Sequence, residues 1–150
     1  MENITHTNTA SALHLSSLTQ YCIPFGNFIF PIILWASLKH KSAFVDEQGK
    51  KVINFQLSLF IYGLVLALIA IPSILVIIFA HHDISSLNNI ELGESTFNFA
   101  EVSGGLIIAI IAGLLICIMK VAEFFLIIYG AVKTSNGQPF SYPFTISFLK

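Results

Sequence analysis

Apolar residues fall into three long runs, at about 23–38, 57–80 and 106–129, with short polar segments between them. The second and third exceed the roughly 20 residues a helix needs to cross a bilayer, which predicts membrane spans rather than buried core helices. The first run is shorter. At 1.5 Å per residue it reaches roughly 24 Å against a hydrocarbon core of about 30 Å, so residues 10–21 are expected to complete the crossing as a polar-speckled half helix. Between the two halves stands Ile23-Pro24-Phe25-Gly26-Asn27, where proline removes a backbone donor and glycine permits a sharp break. Irregular backbone at membrane depth is tolerated only where protein or water covers it, so the break should face other helices or a partner. The pattern therefore predicts an all-α integral membrane protein with a single transmembrane domain over 1–150. Its three transmembrane helices lie at about 12–38, 54–80 and 103–131, the first broken near Pro24 to Asn27.

Composition agrees with this reading. Only 10% of residues are charged, 55% are hydrophobic and the mean hydropathy is +0.83, whereas a soluble domain carries about a quarter charged residues. Six of the seven lysines follow one rule: Lys39, Lys41, Lys50 and Lys51 lie between the first two runs, and Lys133 and Lys150 lie beyond the third. The positive-inside rule then puts the 39–51 loop and the C-terminal tail, 134–150, in the cytoplasm, with the N-terminus and the 81–101 loop outside. No basic segment precedes a short apolar stretch near Met1, so the first span is expected to direct insertion uncleaved. In the outer loop, Ile84, Leu87 and Ile90 recur at three-residue spacing and predict a short surface helix.

The seventh lysine breaks the rule. Lys120 lies about one turn past the midpoint of the third span with Glu123 three residues on, and an unpaired charge there costs about 2.5–3.5 kcal/mol. Three-residue spacing lets the two meet on one face, as a neutralised pair, a docking point for a partner helix or a relay. Asn54, Gln56 and Ser58 near the start of the second span suit hydrogen bonding between helices. Asn27 in the break and His14, the one histidine able to enter the membrane, complete the candidates for helix or partner docking. In the tail, Phe140, Tyr142, Phe144, Ile146 and Phe148 alternate with polar residues or Pro143, which predicts extended chain with one apolar face, at an edge or unpaired.

Several classes of chemistry find no support. Arginine is absent and the net charge is -1, so nucleic acid is not an expected partner. No phosphate loop, zinc helix motif or nucleophile elbow occurs, and Asp46 and Glu47 are adjacent between lysines, as in a solvated loop. Cys22 and Cys117 are expected to be free, no histidine pair has metal-ligand spacing, and no cofactor is expected. The chain reads as a non-enzyme.

His14-Leu15, Ile23-Pro24-Phe25-Gly26-Asn27, the run Phe44-Val45-Asp46-Glu47-Gln48-Gly49-Lys50, Asn54-Phe55-Gln56, and Asn136-Gly137 through Tyr142-Pro143 together resemble the bacterial Tic-twenty-like membrane proteins. The resemblance covers most of the chain. It implies a small multi-pass protein of the bacterial inner membrane, distantly similar to the chloroplast inner-envelope import component. Its expected partners are the lipid bilayer and other membrane-protein subunits, among them a protein translocon. The function so implied is that of a non-enzymatic subunit of a larger complex handling protein translocation or membrane insertion. The alternative is a homo-oligomeric small transporter or ion channel lined by the broken first span and the Lys120/Glu123 pair.

Overall fold

The computed structural model describes residues 2–81 and 99–150. Among these described residues lie four α-helices: α1 Glu2–Ser16, α2 Gly26–Leu38, α3 Ala43–His81 and α4 Phe99–Ser135, with a 3-10 turn at Ser17–Tyr21 after α1. No strand occurs among the described residues. The chain divides into two compact units, one of Met1–Ile61 with Met119–Lys150 and one of Tyr62–Ile118.

Two stretches, Ala43–Val76 and Gly104–Ser135, are long and apolar enough to cross a membrane. In the Tyr62–Ile118 unit their side chains are turned outward: Leu64, Leu68, Ile71, Ile107, Ile110, Leu114 and Ile118 are all half exposed or more. A water-soluble chain does not leave so continuous an apolar surface bare, whereas lipid solvates it. Both helices are also longer than expected. The segment 39–51, read from sequence as a loop, is helical from Ala43, and α4 starts at Phe99 rather than near 103. Asp46 and Glu47 accordingly do not sit in a loop but form i,i+4 ion pairs with Lys50 and Lys51, both at 2.7 Å. The surface helix expected around 84–90 lies outside the described residues.

In the other unit the expected broken span is a reversal. The 3-10 turn ends with the N–H groups of Cys22 and Ile23 both donating to Thr19 O, at 3.0 and 2.9 Å. Pro24 cannot extend a helix, and Phe25 takes the left-handed conformation at φ 60°. The chain then turns back so tightly that a Cβ on Gly26 would stand 2.7 Å from Thr19 O. On the outward path α1 follows the end of α4: Ser11 Oγ donates to Ala131 O at 2.8 Å, and Tyr21 meets the Phe124 ring edge-on at 6.2 Å. On the return α2 follows the start of α3. Phe28 packs edge-on against Phe60, and the Trp35 indole N–H donates to Asp46 Oδ1 at 2.8 Å.

Two long apolar helices thus stand where three spans were predicted. With 13 residues α2 spans only about 20 Å, and both arms of the α1–α2 hairpin end where α3 begins and α4 finishes. A Pro-Gly break signals that a helix stops. It does not fix the direction in which the chain resumes, which here depends on the left-handed Phe25 and on contacts with α3 and α4.

The core of this unit is Val52, Phe55, Ile127, Phe140 and Tyr142, flanked by Leu18, Leu59 and Leu126. Two of the five come from the tail. The predicted alternation holds for 140–143, where Phe140 and Tyr142 are buried and Ser141 and Pro143 exposed, and fails at Phe144, which is 88% exposed at φ 55°. The tail is also not an edge strand. Its backbone is held by side chains of α3, as described next.

Candidate functional site

Two clusters of polar residues stand out in this unit. The first joins α4 to the 3-10 turn. Lys120 Nζ donates to Glu123 Oε2 at 2.9 Å and to Gln20 Oε1 at 3.2 Å, and Gln20 Nε2 donates to Glu123 Oε1 at 2.9 Å. The i,i+3 spacing on α4 sets the first contact and the hairpin supplies the second, so that each member touches the other two. The Glu123 side chain is fully buried, whereas that of Lys120 is 47% exposed. Both carboxylate oxygens are occupied by donors, which is the condition for burying such a group at tolerable cost. Gln20 was not singled out by sequence; its only signal was polarity in the short half helix before the break.

The second cluster lies between α1, α3 and the tail. His14 Nδ1 is 2.7 Å from Tyr142 Oη, and His14 Nε2 is 3.3 Å from Gln48 Oε1, which also accepts the Phe140 backbone N–H at 3.3 Å. One proton arrangement satisfies these contacts. Phe140 N–H can only donate, so Gln48 presents its oxygen; His14 must then carry its proton on Nε2, and Nδ1 accepts from the Tyr142 hydroxyl. The imidazole is therefore neutral, and burial lowers its pKa well below the ordinary histidine value, against a smaller upward pull from the Gln48 bond. Burial likewise raises the Tyr142 phenol above its usual range. Gly130 leaves the room required: a Cβ there would come within 2.8 Å of Phe140 Cδ1 and 2.9 Å of His14 Nδ1.

The sign of the pH dependence follows. Because the folded-state pKa of His14 is depressed, the unfolded chain binds a proton that the folded chain refuses once pH falls below about 6.5. Stability is thus complete above that range and declines as pH drops, by up to about 1.4 kcal/mol per pH unit. Detergent-solubilised protein should melt at a lower temperature at pH 5.5 than at pH 7.5, and His14→Asn should flatten that difference. An equal pH response in the variant would exclude His14 as its source.

Asn54, Gln56 and Asn27 serve the same framework. Asn54 Oδ1 accepts the backbone N–H groups of Phe148 and Leu149 at 3.2 and 2.8 Å, and its Nδ2 donates to Leu149 O at 3.0 Å. One amide side chain thereby does for the tail what a neighbouring strand would do. Ser58 Oγ accepts the Ile146 N–H at 2.8 Å. Asn27 Nδ2 donates to Gln56 Oε1 at 2.8 Å, fastening the start of α2 to α3. All six candidates, Lys120, Glu123, Asn54, Gln56, His14 and Asn27, are engaged within the chain, three in the clusters and three along α3 and α2. Gln48, in a charged stretch, and Tyr142, in the aromatic tail, are central to the second cluster, and neither stood out from its neighbours in the sequence. Cys22 and Cys117 are free and exposed, and among the described residues no three His, Cys, Asp or Glu side chains converge as a metal site.

No curated protein and no solved structure matches the chain. A family model does, over residues 5–149, and its description is that of a magnetosome magnetite crystal formation protein family. This overturns the Tic-twenty-like resemblance, and with it both functions drawn from sequence: work beside protein translocation or membrane insertion, and a homo-oligomeric transporter or channel. The motifs behind that resemblance are short, and the structure gives many of them local framework roles, such as the hairpin turn at 23–27 and the tail clamp at Asn54. Such roles do not specify an activity. A match that runs through nearly the whole chain carries more information than ordered fragments of it, and by that match the protein belongs to the MamF/MmsF family.

Proposed function

We propose that this protein is a non-catalytic membrane component of magnetite crystal formation, working at the membrane that bounds the crystal. The observation that carries this reading is the family match over residues 5–149. The exposed apolar surfaces of α3 and α4 support a place in the bilayer. The two polar clusters support a framework role, since their hydrogen bonds run to one another and to the tail, with the buried Gln48 Nε2 as the one amide in them left without a partner among the described residues.

Two spans, α3 and α4, cross the membrane, and the α1–α2 hairpin enters and leaves on one side. Its apolar turn supports that arrangement, with Tyr21, Ile23 and Phe25 exposed and the reversing backbone hydrogen-bonded within itself. By the positive-inside rule the lysine-bearing end, with both chain termini, faces the cytoplasm. The connection between α3 and α4 then faces the far side, where an enclosed crystal lies.

The test is complementation. The chain is expressed in a magnetite-forming bacterium deleted for its own members of this family, and crystals are sized by electron microscopy while single cysteines at positions 5 and 91 are labelled from outside the cytoplasm. Recovery of crystal size, with position 91 labelled and position 5 protected, is the expected result. Crystals that stay small although the chain reaches the membrane would refute the function, and labelling at position 5 would refute the topology.

A further inference from the structure

Where α2 ends and α3 begins, a cavity of about 430 Å³ opens between Trp35, Lys39, His40, Asp46, Lys50 and Lys150. Its charges do not cancel. The Asp46 carboxylate is used up internally, one oxygen accepting the Trp35 indole N–H at 2.8 Å and the other paired with Lys50 at 2.7 Å. Lys39 and Lys150 make no ion pair among the described residues; the Lys39 ammonium stands 4.8 Å above the Trp35 ring instead. With Lys50 balanced by Asp46, the Lys39 and Lys150 ammonium groups face the cavity beside an imidazole, and against the α-carboxylate that Lys150 carries as last residue of the sequence they leave one net positive charge. The site is also braced, because Gly49 lies so close beneath the Trp35 ring that a Cβ there would force the indole to move.

We propose that this cavity binds the phosphate-bearing headgroup of an anionic membrane lipid. The Lys39 and Lys150 ammonium groups supply the donors and the net charge a phosphodiester needs, and basic pockets at the cytoplasmic ends of membrane helices attract such headgroups. The neighbouring surface favours a lipid over free phosphate. Trp35 is of the residue type that settles at the membrane-water boundary, and Ile29, Ile32 and Ile33, in the two turns of α2 before it, are exposed and apolar. A headgroup in the cavity would thus leave its acyl chains beside α2. The proposal does not depend on a role in crystal formation.

Native mass spectrometry of the whole chain in mild detergent tests it, with phosphatidylglycerol titrated against phosphatidylcholine. The expected result is selective retention of phosphatidylglycerol, weakened about thirty-fold by Lys39→Gln with Lys150→Gln and at most about twofold by Lys41→Gln with Lys133→Gln. Both pairs of changes leave the ion pairs among the described residues intact, and equal melting temperatures confirm that each variant is folded. Equal retention of both lipids would overturn the proposal. So would equal weakening by the two variants, which would mean diffuse attraction, or displacement of the lipid by millimolar inorganic phosphate, which would mean a site for the free ion.

Discussion

Glu123→Ala should lower the stability of the solubilised protein by about 3 kcal/mol, and adding Lys120→Ala to it should restore at least half of that loss. Glu123 is fully buried and accepts from both Lys120 and Gln20, so its removal strands an ammonium and an amide at once. Removing one partner of a buried pair costs about 3–5 kcal/mol, mostly through the charge left behind, and an unpaired lysine inside a membrane helix costs a similar amount. Deleting the lysine as well removes the stranded charge and leaves only the Gln20 amide to be satisfied. Thermal unfolding of both variants in detergent decides the matter. If the double variant is no more stable than the single one, the pair is not what makes Glu123 tolerable.

Tyr142→Ala should cost about 4 kcal/mol, whereas Tyr142→Phe should cost only about 1 kcal/mol. The ring lies flat on Phe55, with centroids 3.9 Å apart and planes 6° from parallel, and meets Phe140 edge-on at 4.8 Å. Its truncation opens a cavity at the centre of the core and releases the tail residue that anchors 140–149 to α3. Loss of the hydroxyl alone leaves the packing in place and deprives His14 Nδ1 of its donor. Hydrogen exchange at the amides of Ile146, Phe148 and Leu149 separates the two effects, since these bond to Ser58 and Asn54 only while the tail is docked. Fast exchange is expected in the alanine variant and slow exchange in the phenylalanine variant. Equally fast exchange in both would mean that the hydroxyl, rather than the ring, holds the tail, and equally slow exchange that neither does.

The two predictions fall on residues of different legibility. Lys120 and Glu123 could be found from sequence because a charge in an apolar run is conspicuous and i,i+3 spacing is local. Tyr142 looked like one aromatic among four in an alternating tail. Nothing in that alternation separates Tyr142, which is buried, from Phe144, which is 88% exposed, because the difference arises at the turn after Pro143 and in the contact with α3. The family, too, was not recoverable from the framework motifs, and required the match along nearly the whole chain.

The sequence by itself determined the helical class, the two long apolar helices, the clustering of lysines at one set of connections and the interruption at Pro24 to Asn27. Each rests on a local cause: backbone hydrogen bonds satisfied within a helix, apolar length, or the missing donor of a proline. The tertiary structure alone decided that the interruption is a hairpin, that Gln20 closes the Lys120 and Glu123 pair, and that the tail enters the core through Phe140 and Tyr142. These depend on partners about a hundred residues apart in the chain, and hydrophobic periodicity records which face of a helix is apolar without recording what covers it.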